Sequence, residues 1–155
     1  MSSDKVNLYN QNQKSQLSNN ANSRETDSRA LSGAAARMEE AKRLLTVDQK
    51  SKEALKAWGE AIRHNQRLWT VFQVAVTDIN NPLPRDLRVT LLNLARYVDR
   101  VSFRIVGKFV PDQIESLINI NRVLAAGLNK KPTGEAIAVP TPESIGVPMT
   151  LMTSA

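Results

Sequence analysis

Ala54-Leu55-Lys56-Ala57-Trp58-Gly59-Glu60-Ala61-Ile62-Arg63-His64-Asn65-Gln66-Arg67-Leu68-Trp69-Thr70-Val71-Phe72 is the stretch that decides the fold. Leu55, Trp58, Ile62, Asn65, Trp69, Phe72 and, just beyond, Val76 recur every three or four residues. That period places them on one face of an α-helix. Both tryptophans of the chain lie on it, so this helix should sit at the centre of a small core. Asn65 is an amide in phase with the apolar stripe. Buried without partners it costs roughly 1–3 kcal/mol, so it should pin the register of this helix to something polar on a neighbour.

Outward from this helix, the punctuation is strong. Ser51 is placed to cap its start, and Asp78-Ile79-Asn80-Asn81-Pro82-Leu83-Pro84 ends it near Thr77, because two prolines and two asparagines do not continue a helix. Gly59 inside it suggests the close approach of a neighbouring helix. A third helix over about 84–106 begins with Pro84 in its first turn and carries Leu87, Leu91, Leu94, Ala95, Val98, Val101 and Ile105 in phase, with Gly107 as its stop. A fourth over about 112–128 carries Ile114, Leu117, Ile118, Asn121, Leu124, Ala125 and Leu128, again with one amide in the stripe. Before the central helix, Asn22 and Glu25 have capping-box spacing and open a helix over about 23–46 with Leu31, Ala34, Ala35, Met38, Ala41 and Leu45 on one face.

Residues 1–21 are rich in Asn, Gln and Ser, and residues 130–155 hold four prolines past Lys131. Both are expected to be disordered. The expected organisation is therefore a disordered segment 1–21, a helical domain 22–129 and a tail 130–155. No strand signal of any length is present, and short connections favour antiparallel neighbours. The fold class read from the sequence is all-α, a small bundle of about four helices with disordered ends.

At 155 residues the chain makes a core without staples, and it has no cysteine for a disulfide or thiolate site. No apolar run reaches the ~18 residues of a membrane span, and no signal pattern opens the chain, so a soluble cytoplasmic protein is expected. The charge is +6, with 17 basic and 10 acidic residues over 33–131. That excess permits an RNA, an anionic surface or an acidic protein as partner.

Catalytic equipment is missing from the sequence. The single histidine, His64, stands beside Arg63 and Arg67, which disfavour its protonated form. No phosphate loop, nucleophile elbow or metal-ligand spacing occurs, and no cofactor is expected. Arg63 and Arg67, then Arg96, Arg100 and Arg104, form short basic ridges at four-residue spacing, but aromatic interleaving is thin, which disfavours a single-strand stacking platform.

Four local signatures in order resemble the bacterial flagellar biosynthesis regulator FlaF family. Ala61 with Asn65-Gln66-Arg67-Leu68-Trp69 resembles its A-L-x-x-N-R-R-L-W-T segment, Gln66 and Ile62 departing. Asn81-Pro82-Leu83-Pro84 followed by Leu87-Arg88 is similar to N-x-L-P-x-x-L-R. Leu94-Ala95-Arg96-Tyr97-Val98 is similar to S-L-A-x-W-V. Leu117-Ile118-Asn119-Ile120-Asn121-Arg122 followed by Gly127-Leu128 resembles L-I-x-I-N-R…G-L. Residues 23–27 also look like its S-P-R-E-T-E helix start. The resemblance covers roughly 9–128.

It implies an all-helical cytoplasmic protein that promotes flagellin synthesis and export, binds flagellin as a secretion chaperone, and works with the flagellin translation regulator FlbT. The alternative it leaves open is post-transcriptional control of flagellin mRNA, directly on RNA or through FlbT. The signature residues are Asn65, Arg67, Leu68, Trp69, Asn81, Leu83, Pro84, Arg88, Asn121, Arg122 and Gly127, in structural or partner-binding roles. Asn65 and Asn121 are expected to bond backbone across the bundle, with Arg122 adding a buried charge-assisted bond. For helix-in-groove binding of flagellin, the Ala-rich face of the first helix with Met38 is the candidate lining.

Overall fold

A computed structural model of the chain describes residues 2–130. Within them, four helices follow one another: α1 (Ser2–Val47), α2 (Lys52–Thr77), α3 (Arg85–Ile105) and α4 (Pro111–Asn129). The described residues contain no strand. The tail expected over 130–155 lies, past Lys130, outside them.

Local chemistry explains most of the helix ends. The Ala54 amide donates to Ser51 Oγ at 3.2 Å, the expected cap of α2. Pro111 opens α4 at its first turn, where a missing N–H does no harm. Pro84 stands one place earlier than expected, as the extended residue just outside α3. The third helix ends at Ile105, with Val106 as its cap, before Gly107 is reached.

Residues 2–21, in the segment expected to be disordered, are helical. The first helix begins at Ser2 and runs 46 residues without a break, about 69 Å at 1.5 Å per residue. Residues 5–15 are exposed throughout, so this part stands on no neighbour. Once the packed part from Ser28 onward has nucleated the helix, extending it through residues of middling propensity costs little per step. Asn22 consequently caps nothing. Its carbonyl accepts from Thr26 Oγ1 in mid-helix, and Glu25 pairs with Arg29.

Each helix packs on two others, α1 on α2 and α4, and α3 on α2 and α4, which closes the four into a ring. The first and last helices are antiparallel: Ser28 Oγ donates to the Ala125 carbonyl at 2.9 Å, while Lys42 meets Glu115 at 2.8 Å. The apolar stripes fill the ring. Leu31, Met38, Leu45, Trp58, Ile62, Leu94, Ile105, Leu117 and Ile118 are among the fully buried side chains. Trp58 joins α2 to the far end of α3: its Nε1 donates to the Ile105 carbonyl at 2.7 Å, and Phe109 packs edge-on against its ring at 5.3 Å.

Two details of the central helix depart from the sequence reading. Leu55 falls on the flank of the apolar face and is 44% exposed, while Ala54 takes the core position. Gly59 is buried, yet what covers it is the guanidinium of Arg63 on its own helix, 3.2 Å from where a Cβ would stand, and not a neighbouring backbone. The far end of a flexible side chain yields easily. Gly59→Ala is therefore expected to stabilise the protein by up to about 1 kcal/mol through helix propensity. Urea denaturation checks it; a lower midpoint would mean that the Arg63 lid is rigid.

Candidate functional site

The site begins at the loop between α2 and α3. Asn81 Nδ2 donates to the Ala75 carbonyl at 2.8 Å, and Asn81 Oδ1 accepts from the Leu83 amide at 2.9 Å. One side chain thus staples the loop to a carbonyl in the last turn of α2, which also accepts from the Asp78 amide, and fixes the backbone of Leu83. Asp78 Oδ1 holds the Asn80 amide in the same manner. The Asn-Pro-Leu-Pro sequence is built to aim Leu83.

Leu83 points into an apolar groove of about 190 Å³. From α2 come Trp69, Phe72, Ala75 and Val76, and Leu87 and Leu91 come from the first turns of α3. The opposite wall is the last turns of α4, with Val123, Leu124, Gly127 and Leu128; α1 adds Leu31 and Asp27. Asp27 is the one ionisable group there. Burial pushes its carboxyl above the usual range.

Beneath the groove lies a buried amide network that crosses the diagonal of the ring. Trp69 Nε1 donates to Asn121 Oδ1 at 2.9 Å, and Asn121 Nδ2 donates to Asn65 Oδ1 at 2.7 Å and to the Leu31 carbonyl at 3.4 Å. One amide therefore ties α4 to α2 and α1 together. It also holds the Trp69 ring, which meets Phe72 edge-on at 5.9 Å in the groove wall. Asn65 Nδ2 is buried with no partner.

The signature residues divide accordingly. Trp69, Asn81, Leu83 and Gly127 converge on the groove, and Asn65 and Asn121 support it from below. Pro84 caps α3, and Leu68 is half-buried against the core. Arg67 is exposed, and Arg88 is half-buried with Nε shielded from solvent and unpartnered. The structure corrects three expectations here. Asn65 bonds the Asn121 side chain and no backbone group. Arg122 is exposed and pairs with Glu39 of α1 at the surface, because a residue one step along α4 from Asn121 points outward. The first-helix face with Met38 lines no groove, since Ala34, Ala35, Met38 and Ala41 are buried in the core.

His64 is half-buried, and burial first, then Arg37 and Arg67, lowers its pKa. Arg63, its chain neighbour, is turned over Gly59 instead. Among the described residues, no cluster of three or more His, Cys, Asp or Glu could hold a metal, and no helix is long and apolar enough to cross a membrane.

Sequence reasoning did not find the groove itself. Leu87, Leu91, Leu124 and Leu128 are in phase with their stripes, and nothing local separates a lining leucine from a core one.

A family model described as Flagellar protein FlaF matches residues 7–128. No curated protein and no solved structure matches the chain.

Proposed function

The chain belongs to the FlaF family of flagellar proteins, and from that premise we propose that it serves flagellum biogenesis in the cytoplasm by gripping a helical segment of flagellin as a secretion chaperone. The groove carries this reading. It is apolar and preformed, and it is walled by elements of all four helices, the arrangement that accepts the anchor side chains of an amphipathic helix. Asp27 at its edge suits a basic residue flanking those anchors. Gripping, with no chemistry of its own, is the proposed output. FlbT is the proposed co-regulator, acting on the chain or on its complex.

The test is a titration of purified monomeric flagellin against the chain by calorimetry at two salt concentrations. Groove binding is expected to show a negative heat-capacity change and little salt dependence. No binding of flagellin, or a steep loss with salt alongside tight binding of flagellin transcript, would reject the chaperone reading in favour of RNA.

A further inference from the structure

We propose that the outward face of α3 is a second docking surface, which takes an acidic amphipathic helix of a partner protein. Phe103 is 83% exposed, far more than a phenylalanine needs to be on a helix whose opposite side is core. By helical phase it stands diametrically opposite the fully buried Leu94 and well away from Leu87, so it belongs neither to the core nor to the groove. Val89, 47% exposed, and half-buried Leu92 continue its line toward the start of the helix.

Cations are interleaved with these apolar side chains. Exposed Arg85 and Arg96 share the line, and Arg104 and Lys108 flank Phe103 in a shallow depression that also holds Asp99 and Arg100. A stripe of alternating apolar and basic groups about 30 Å long complements a helix presenting carboxylates beside apolar anchors.

Asp99 also lies in the patch, so the carboxylates of the docked helix sit over the arginines and its apolar anchors over Phe103. One observation favours a protein over a nucleic acid. Phe103 has no second ring to form a stacking platform, since Tyr97 is buried with its hydroxyl donating to Ser116 and Phe109 is packed on Trp58.

The experiment uses the full chain and three fluorescent probes: a synthetic helix of about 20 residues with leucines on one stripe and glutamates elsewhere, an oligouridylate of similar charge, and vesicles of anionic phospholipid. The peptide is expected to bind most tightly. Phe103→Ala should weaken it about tenfold, the loss of one buried ring. Arg96→Glu with Arg104→Glu should abolish binding. Gly127→Leu, which alters the groove, should leave it unchanged, so failure here is separable from failure of the groove reading. Circular dichroism verifies that each variant is folded. Tighter binding of oligouridylate or vesicles, peptide binding indifferent to Phe103, or a self-dimer broken by Phe103→Ala would each overturn the proposal.

Discussion

Asn121→Leu is expected to destabilise the protein by about 3–4 kcal/mol, a large share of the ~5–15 kcal/mol that holds a domain of this kind. Asn121 serves three partners. Leucine matches its size roughly but returns none of the bonds. Trp69 Nε1 is left buried with no acceptor, and Asn65 Oδ1 loses its donor while its Nδ2 already has no partner. Each orphaned group costs about 1–3 kcal/mol, and extra apolar burial offsets part of the sum.

Asn65→Leu should cost far less, about 1 kcal/mol. It removes an amide nitrogen that is unpaired in the native state, and Asn121 keeps Trp69 and the Leu31 carbonyl. Urea denaturation of the two variants separates them. Adding Trp69→Phe to Asn121→Leu should recover part of the loss, because the orphaned indole N–H is gone. Equal costs for the two asparagines would show that the hub is not Asn121.

Gly127→Leu should weaken groove binding about a hundredfold while leaving the fold at least as stable. Gly127 lies in the last turns of α4 and lines the groove, and a Cβ added there meets no heavy atom within 4 Å. Glycine in a helix gives up roughly 1 kcal/mol relative to alanine, so the substitution costs the fold nothing by propensity. Its side chain enters the space that a ligand's anchors need. Displacing one or two buried aliphatic anchors forfeits about 3 kcal/mol, roughly a hundredfold in affinity. The measurement is flagellin affinity beside the urea midpoint. A variant that is stable and still binds flagellin as the parent does would move the binding site off the groove. This variant changes binding without stability, and Asn121→Leu taxes stability first, so together they separate the two roles that the signature residues combine.

The amino-acid sequence by itself determined an all-helical chain, the ends of α2, α3 and α4 to within a residue or two, and the two amides that sit in apolar stripes. These are consequences of local period, caps and prolines, which act over a few residues. It also determined the family, through short ordered motifs. Tertiary structure decided the rest. The reach of α1 back to Ser2 depends on packing from Ser28 onward to nucleate it, so composition near the N-terminus pointed the other way. Which partner each amide takes depends on where the helices lie beside one another, whereas the outward placement of Arg122 follows from helical phase, one step from buried Asn121. The groove depends on how far the first turns of α3 stand from the last turns of α4. That distance is set by the Asn81 staple and by neighbouring helices, and no pattern within a single helix encodes it.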